Sequence, residues 1–371
     1  MENLVMQKLF SGIYRNKKVL VTGHTGFKGS WLVFWLEKLG ADVLGYSLEP
    51  NTQPNHFSLL SLKCQTVYGD IRDYDKLLSV MLDFKPVIVF HLAAQPLVRR
   101  SYYEPIYTLD VNILGTAKLF EACRRVSSVR AIINITSDKC YENKEWVWGY
   151  REIDPMGGYD PYSASKGCAE IITSCYRNSY FNLESYGTGH NILLASCRAG
   201  NVIGGGDWSE DRLIPDIVKS IAKSEKALIR NPNSIRPWQH VLEPLSGYLI
   251  LGQKLLEGKK EFAEAWNFGP NNEETLTVHE IVIKIKEMWY DLNYEILGNQ
   301  NSQPHEANWL KLDCSKAITL LKWMPVWNIN SAIEKTVRWY KAFYEKGDIL
   351  TYQDLEDYIN DAKNKDIEWT K

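Results

Sequence analysis

Two residues on one predicted helix carry groups that together can take a proton from an alcohol. Tyr162 and Lys166 stand four positions apart, and residues at that spacing share one face of a helix. A neighbouring ammonium group favours the phenolate, so we expect Lys166 to hold the pKa of Tyr162 below its ordinary value of about 10. A tyrosine of this kind is a base suited to the oxidation of a secondary alcohol.

A glycine-rich turn far upstream of this pair predicts a dinucleotide site. Gly23, Gly26 and Gly29 follow the apolar run 18–22 and lead into a segment with helical spacing, 30–39. A turn of this kind between a strand and a helix cradles a pyrophosphate on the first amides of the helix. We therefore expect NAD at this turn, with its nicotinamide beside the tyrosine base.

The elements that must position these groups alternate between strands and helices. The predicted strands are 18–22, 41–46, 65–68, 86–92, 129–135 and 190–197, and the predicted helices are 30–39, 73–84, 112–126 and 162–176. This alternation predicts an α/β fold with a doubly wound parallel Rossmann sheet. Active groups should then gather at the carboxyl ends of the strands.

The pattern of short strands and helices changes after about residue 198. We predict a dinucleotide-binding domain over 1–200 and a smaller mixed α/β substrate-binding lobe mainly over 201–345, with segments that return to the sheet. The remaining residues, 346–371, are rich in Asp, Glu and Lys. They predict a polar C-terminal tail that forms a polar helix or a frayed end.

Further residues are expected to contact the cofactor. The acid that usually binds the ribose at the end of the second strand is replaced here by Ser47, with Glu49 just beyond, so NADP is not excluded. Asp70 would suit the adenine amino group, with a plain turn aspartate as the alternative. The predicted cofactor-binding residues are Gly23, Thr25, Gly26, Phe27, Lys28, Gly29, Asp70, Ile71, Leu92, Ala93, Ala94, Gln95, Asn112, Tyr162 and Lys166.

The fifth predicted strand ends in consecutive reactive side chains. Ser137, Asp138 and Lys139 follow the apolar run 129–135, an arrangement that places them for catalysis unless the segment is only a solvated turn. We expect the hydroxyl of Ser137 to share a substrate hydroxyl with Tyr162. The adjacent acid and amine exceed what alcohol oxidation needs and indicate a second proton-transfer step.

Composition argues against several other classes of function. A formal net charge of −2 over 371 residues gives no indication of nucleic acid or an anionic membrane as partner. Seven cysteines without CxxC or metal-ligand spacing indicate reduced thiols and no metal site. Because we find no secretory signal and no apolar run of about 20 residues, we expect a cytoplasmic protein.

The chain resembles the extended short-chain dehydrogenases/reductases that act on nucleotide sugars. The stretches that carry this resemblance are 23–29, 91–94, Asn112 with Gly115 and Thr116, the Ser137 region, 162–166 and 198–202. Within that family the resemblance is strongest to the 4,6-dehydratases of CDP-glucose. The runs specific to them are 23–32, 136–141, 204–208 and 236–244.

This resemblance implies a reaction in three stages. Tyr162, helped by Lys166, takes the proton of the C4 hydroxyl while hydride passes to NAD. Water is then lost across C5 and C6, with Asp138 as the acid, and the hydride returns to C6. Related dTDP-glucose dehydratases have a glutamate where this chain has Lys139. The C5 base therefore stays open, since Lys139 is either a neutral base or a cation that stabilises the enolate.

The resemblance also implies a CDP-sugar substrate and a homodimer. A pyrophosphate needs arginine or lysine around it. The predicted substrate-binding residues are Gln95, Ser137, Asn201, Trp208, Arg212, Arg236 and His240, and 305–309 is expected to close over the nucleotide. Helices 112–126 and 162–176 would form a four-helix contact between subunits, although their apolar residues also suit a core.

Two other functions compete with the dehydratase. A nucleotide-sugar 4-epimerase shares the fold and the tyrosine but has no need of an acid at Asp138. A non-catalytic nucleotide-binding module of the same fold should have lost Tyr162 or Lys166, and both are present. The sequence therefore favours the dehydratase.

Overall fold

A seven-stranded parallel sheet organises the structure, a computed structural model in which residues 6–270, 276–297 and 309–371 are described. The strands within these ranges are β1 (Lys18–Thr22), β2 (Asp42–Ser47), β3 (Gln65–Tyr68), β4 (Ile88–His91), β5 (Ala131–Ile135), β6 (Leu193–Ala199), β7 (Val202–Ile203), β8 (Lys226–Ile229), β9 (Gln239–His240), β10 (Ala265–Phe268) and β11 (Asn293–Ile296). The order in the sheet is β10-β6-β5-β4-β1-β2-β3, and every neighbouring pair is parallel. The predicted doubly wound sheet is confirmed.

Helices cover the sheet and build the second lobe. Those within the described ranges are α1 (Phe27–Lys38), α2 (His56–Leu59), α3 (Tyr74–Phe84), α4 (Val98–Tyr103), α5 (Pro105–Leu109), α6 (Gly115–Arg125), α7 (Pro161–Ser179), α8 (Leu213–Ala222), α9 (Leu242–Leu256), α10 (Val278–Met288), α11 (Ile329–Lys346) and α12 (Thr351–Asn364). A π-helical segment, Asp110–Leu114, leads directly into α6, so the helix predicted from residue 112 begins in that segment. Nowhere in the described part of the chain is a helix both long and apolar enough to cross a membrane.

Alternate residues of the sheet pack into two separate apolar layers. Val19 and Val21 of β1 join the cluster that includes Trp31 of α1, whereas Leu20 joins the cluster that includes Leu77 of α3 and Leu119 of α6. A strand covered on both faces needs an almost continuous apolar run. That requirement explains the sequences of β1, β4 and β5.

The predicted start of the sixth strand is three residues too early. The ring of His190 is bonded to the carbonyl oxygen of Asn182 over 2.9 Å, and the carbonyl oxygen of His190 accepts from the Gly187 amide. These bonds hold His190 in a turn, so β6 begins at Leu193 instead.

The second lobe has its own apolar cluster, in which Trp208 and Ile217 pack with Ile281 and Trp339. β8 and β11 pair there in a separate two-stranded ribbon. β10 lies later in the chain but pairs with β6 at the edge of the central sheet. The division into domains at 200 and 345 stays a prediction.

The C-terminal segment forms a helix with one apolar side, where the sequence predicts a polar tail. Leu355 and Tyr358 of α12 are fully buried in the same cluster as β1. Beyond the helix, the ring of Trp369 stacks on Phe10 at a centroid distance of 5.1 Å. Asp354 of α12 is also fully buried and pairs with Arg338 of α11, so the segment is part of the packed structure.

Candidate active site

A cavity of 1350 Å³ opens at the carboxyl ends of the central strands. Gly23 follows β1, Leu92 follows β4, Thr136 follows β5 and Gly200 follows β6, and all four line the cavity. This position is where ligands bind in open α/β sheets. Every predicted site residue lines the cavity except Asn112 and His240.

The glycine turn is too tight for side chains at two positions. Gly23 has a φ of +72°, and a Cβ atom there would lie 2.7 Å from the amide nitrogen of Ala93. A Cβ atom on Gly29 would lie 2.1 Å from the carbonyl oxygen of Gly23. Gly26 is the N-cap of α1 and provides no side-chain cap, so the first amides of the helix are left for a ligand. The turn therefore fits the pyrophosphate of a dinucleotide.

The end of β2 has hydroxyl groups where an acid commonly binds the ribose. The hydroxyl groups of Ser47 and Thr25 are 2.9 Å apart, and Ser47 also bonds to the His24 ring over 3.1 Å. Asp70 lines the cavity, but its carboxylate pairs with Arg72 at 2.7 Å. Its predicted contact with adenine stays a prediction.

Asn112 holds the loop after β4 and does not line the cavity, contrary to the prediction. Its Oδ1 accepts from the Gln95 amide over 2.8 Å, and its Nδ2 donates to the Gln95 carbonyl oxygen and to the Ser165 hydroxyl. The side-chain amide of Gln95 bonds to Leu97 and Thr108. Both residues therefore shape the loop with their polar groups.

The segment after β5 presents an oriented carboxyl group. Ser137 is the N-cap of the 3₁₀ turn Asp138–Cys140, and its hydroxyl accepts from the Lys139 amide over 3.3 Å. The same hydroxyl donates to Oδ1 of Asp138 over 2.9 Å. The Oδ2 atom is buried and has no hydrogen-bond partner among the described residues. This arrangement leaves one oxygen of a buried acid free to act on a ligand.

Helix α7 places the tyrosine and lysine by a strong start signal. Asp160 is the N-cap, its carboxylate accepts from the Ser163 amide over 2.9 Å, and Pro161 occupies the first turn. One turn separates Tyr162 from Lys166, and both side chains line the cavity. The two residues just before Tyr162 thus determine where the helix that carries this pair begins.

The pKa of Tyr162 is raised to about 12, contrary to the expectation that Lys166 lowers it. Burial is the main cause, and the charge of Asp138 acts in the same direction, while a hydrogen bond with Ser137 and the charge of Arg212 oppose them. Burial also lowers the pKa of Lys166 to about 8. Its ammonium group donates to the Ile135 carbonyl oxygen over 3.5 Å. The phenol therefore keeps its proton until other charges or contacts favour its loss.

Lys28 of the glycine turn lies within reach of the charges of Arg212, Lys166 and Asp138. The pKa of Lys28 is lowered to about 8, chiefly by burial; the charges of Arg212 and Lys166 act in the same direction, and the charge of Asp138 acts in the opposite one. The side-chain amines of Lys28 and Lys139 have no hydrogen-bond or ion-pair partner in the part of the chain that the structure describes. The cavity therefore suits a substrate that carries or develops negative charge.

Asp207 is a residue of this site that the sequence reasoning missed. Its carboxylate pairs with Arg212 at 2.9 Å. Tyr340 holds the backbone of Asp207 in place. The Asp207 amide donates to the Tyr340 hydroxyl, which in turn donates to the Asp207 carbonyl oxygen. The signal in the sequence was an acid five positions before the arginine, in the run 204–208. Asp207 thus fixes the guanidinium group that faces the cavity.

His240 does not reach the cavity, contrary to the prediction. Its ring is fully buried and packs against Trp327 at a centroid distance of 4.8 Å and Trp31 at 5.9 Å. Burial lowers its pKa to about 3. The histidine is therefore a neutral packing residue.

The other predicted substrate residues lie on the cavity wall. Asn201 and Arg236 line it, as does Trp208, whose ring packs against Trp339 and whose indole donates to the Tyr344 hydroxyl. Their contacts with a substrate stay predictions. The predicted closing segment 305–309 lies outside the described residues except for Trp309.

Fold and cavity together define a Rossmann enzyme with a tyrosine–lysine pair at a dinucleotide site. The chain belongs to the GDP-mannose 4,6-dehydratase family, whose model matches residues 20–336. It is similar to the CDP-glucose 4,6-dehydratase of Salmonella typhimurium, with 52% identity over 351 residues that cover 94% of this chain and 97% of that protein. The resemblance seen in the sequence is confirmed.

Two solved structures share the fold. An epimerase from Methanothermobacter thermautotrophicus has a TM-score of 0.78 and 24% identity, covering 94% of this chain and 98% of that one. The dTDP-glucose 4,6-dehydratase of Bacillus anthracis in complex with NAD has a TM-score of 0.71 and 21% identity, covering 89% and 98%. At these identities they establish the fold alone.

Proposed function

We propose that the chain converts CDP-glucose into CDP-4-keto-6-deoxyglucose and water. The observation that carries this proposal is the placement of Ser137 and Asp138 in the same cavity as Tyr162 and Lys166. The family and the extent of identity to a CDP-glucose 4,6-dehydratase support the same reaction.

NAD is the cofactor that the glycine turn fits. Gly23, Gly26 and Gly29 give its pyrophosphate access to the start of α1, and Ser47 and Glu49 line the cavity beyond the turn. When bound there, NAD would supply the redox chemistry, as the carrier of the hydride between its removal from C4 and its return to C6.

Tyr162 is the group that takes the proton of the C4 hydroxyl. Its raised pKa means that the transfer depends on nearby positive charge, which Arg212 supplies in the cavity. Ser137 is hydrogen-bonded to the phenol of Tyr162 and to Asp138, so its hydroxyl links the group that acts in the first stage of the reaction to the group that acts in the second. The C4 ketone that results makes the hydrogen on C5 acidic.

Asp138 donates a proton to the departing C6 hydroxyl, and Lys139 accepts the one on C5. The carboxyl oxygen Oδ2 is buried without a partner among the described residues, as a group that acts on a ligand would be. Lys139 follows it on the same 3₁₀ turn and lines the cavity. Loss of one proton from C5 to Lys139 and of the C6 hydroxyl, protonated by Asp138, removes one water molecule. When the hydride returns to C6, the protonated Lys139 gives a proton back to C5, which completes the 6-deoxy sugar.

Arg212 and Arg236 are the partners we assign to the substrate pyrophosphate. Both line the cavity, and the ion pair with Asp207 fixes the first of them. Arginine binds phosphate oxygens in bidentate geometry.

The chain is proposed to act as a homodimer in the cytoplasm. Leu114 and Ile171 expose more than half of their surface near and on helices α6 and α7, as do Tyr103 and Ile106 on the adjacent short helices. An apolar face of this kind suits a subunit contact. Ile171→Glu should shift the protein to monomer in sedimentation, and an unchanged dimer would contradict this contact.

All seven cysteines are unpaired, which fits a reducing compartment such as the cytoplasm.

A panel of nucleotide sugars tests the proposed function. The protein with NAD should convert CDP-glucose into a product lighter by one water, with lower kcat/KM for the dTDP, GDP and UDP sugars. A product of unchanged mass that has become a galactose derivative would support the epimerase instead. The acid at Asp138 has no role in that reaction.

A further inference from the structure

A buried ion pair lies behind the cavity and joins two of its walls. The Nη2 atom of Arg198 on β6 is 2.8 Å from Oε2 of Glu170 on α7, and neither side chain is more than 5% exposed. Glu170 follows Lys166 by one helical turn. Neither partner lines the cavity, so the pair does not touch a ligand there.

Each partner of this pair also holds one end of the segment 136–141. The hydroxyl of Thr136 donates to Oε1 of Glu170 over 2.5 Å. Nη1 of Arg198 donates to the Tyr141 hydroxyl over 2.7 Å, and the guanidinium group lies over the ring at 4.9 Å. The proton-transfer groups of the segment lie between these two contacts.

The surrounding bonds fix the pair in place. The Ser196 hydroxyl donates to Oε2 of Glu170 over 2.8 Å, and the Tyr141 hydroxyl donates to Oδ1 of Asn267 over 2.7 Å. Asn267 in turn donates to the Tyr150 carbonyl oxygen over 2.8 Å. Both carboxylate oxygens of Glu170 and both terminal nitrogens of Arg198 are bonded, while Nε of Arg198 is buried without a partner among the described residues. A buried polar network of this kind favours one arrangement of the groups it connects.

We propose that Glu170 and Arg198 are positioning residues that hold segment 136–141 against helix α7. They keep Ser137 and Asp138 within reach of the sugar that Tyr162 oxidises. This inference rests on the proposed function, because it assigns both stages of the reaction to groups on these two elements.

Glu170 also acts on the charge of Lys166. Burial lowers the pKa of Lys166, while the charge of Glu170 raises it; the Cys140 thiol also lies near, and burial raises its own pKa. Lys28 and His91 are the other titratable groups that face this ammonium group. Removal of the Glu170 carboxylate should therefore lower the pKa of Lys166 and move the loss of its charge to lower pH.

Two conservative variants each remove one hydrogen bond between segment 136–141 and the ion pair, and they leave the ion pair of Glu170 and Arg198 itself intact. Thr136→Val removes the donor to Glu170, and Tyr141→Phe removes the acceptor from Arg198. Each should lower kcat for CDP-glucose by roughly 10-fold to 100-fold, since small misplacements of reacting groups are costly. KM should stay within about twofold of wild type, because the expected loss lies in the placement of the reacting groups; a rise in KM would instead indicate that these cavity-lining side chains bind the substrate directly.

Two matched controls remove similar buried groups elsewhere. Thr173 on the same helix bonds to Asn134 and to the Ala169 carbonyl oxygen, and the buried hydroxyl of Tyr14, outside the cavity, donates to the Leu249 carbonyl oxygen. Thr173→Val and Tyr14→Phe should keep the wild-type kcat. Melting temperatures of all four variants, and their affinities for NAD, show whether an effect on kcat is more than a loss of stability.

The proposal is overturned if Thr136→Val and Tyr141→Phe have the same kcat as the two controls while wild type is active. It is also overturned if a folded Glu170→Gln variant keeps the alkaline limb of its kcat/KM profile at the wild-type pH. The two conservative variants decide the matter if the glutamine variant does not fold. A wild-type protein that fails to convert CDP-glucose would instead contradict the proposed function.

Discussion

The hydroxyl of Ser137 donates a hydrogen bond of 2.9 Å to one carboxyl oxygen of Asp138, and the other oxygen is buried without a partner among the described residues. Gly200 lies opposite this free oxygen, where a Cβ atom would approach it to 3.1 Å. A buried polar atom without a partner is costly in a structure. Its position in the cavity therefore supports a role in the reaction for Asp138.

Replacing this acid should separate oxidation from elimination. Asp138→Asn keeps the size of the side chain but cannot supply the proton that the C6 hydroxyl needs. Oxidation at C4 should continue while loss of water slows by roughly 100-fold or more. Reduced cofactor should then accumulate in a single turnover, visible by its near-ultraviolet absorbance. Normal turnover in this variant would show that Asp138 is not the acid.

Removal of the phenolic hydroxyl should stop the first stage. Tyr162→Phe leaves the start of helix α7 intact, because Asp160 and Pro161 determine it. We expect a folded protein that still binds NAD but loses ~10²-fold to 10⁴-fold in turnover, the usual cost of losing a general base. Tyr290→Phe, at an exposed tyrosine that does not line the cavity, serves as the control and should stay active. Near wild-type activity of the Tyr162 variant would contradict its role.

The sequence contained the position of this tyrosine but not its pKa. Spacing alone places Lys166 one turn away, and the glycine turn, the strand before it and the helix after it are local signals that the structure follows. The pKa of Tyr162 depends on burial and on Asp138 and Arg212, which the chain brings together from distant segments. Burial and the charge of Asp138 raise the pKa of Tyr162 even though a lysine stands four residues away.

Contacts between distant segments explain the other differences. His240 lies in a run on which the predicted resemblance to CDP-glucose dehydratases rests, yet Trp31 and Trp327 enclose its ring. The sequence predicts that Asn112 binds the cofactor, whereas its side chain holds the backbone of Gln95 in the loop after β4. These contacts of His240 and Asn112 join segments that are distant in the chain, so the neighbouring residues in the sequence do not predict them.

The pH dependence of the reaction should report the charge of Lys166. Its pKa is lowered to about 8, so the ammonium form exists below that pH and is lost above it. We expect kcat/KM to fall as the pH rises through about 8. Lys166→Arg keeps its charge at these pH values and should lack this fall, at a lower overall rate.

Lys28 is the control for this assignment, because its pKa is also lowered to about 8. Lys28→Met should retain the fall in kcat/KM if Lys166 is responsible. A fall that disappears in the methionine variant and persists in Lys166→Arg would assign the titration to Lys28.

The role of Lys139 distinguishes a base from a fixed charge. As a base it must be neutral when it accepts the C5 proton, so Lys139→Ala and Lys139→Arg should be equally inactive. Exchange of the C5 hydrogen with deuterated water should vanish in both variants. Substantial activity in the arginine variant would contradict the role as base and leave a cation that stabilises the enolate.

Deuterium placed on C4 of the substrate tests the central claim most directly. In a 4,6-dehydratase the hydrogen removed from C4 returns to C6, whereas in a 4-epimerase it returns to C4. With CDP-glucose that carries deuterium at C4, we predict a product lighter by one water with the deuterium in its C6 methyl group. Deuterium recovered on C4 of a product that has kept its C6 hydroxyl would contradict the account.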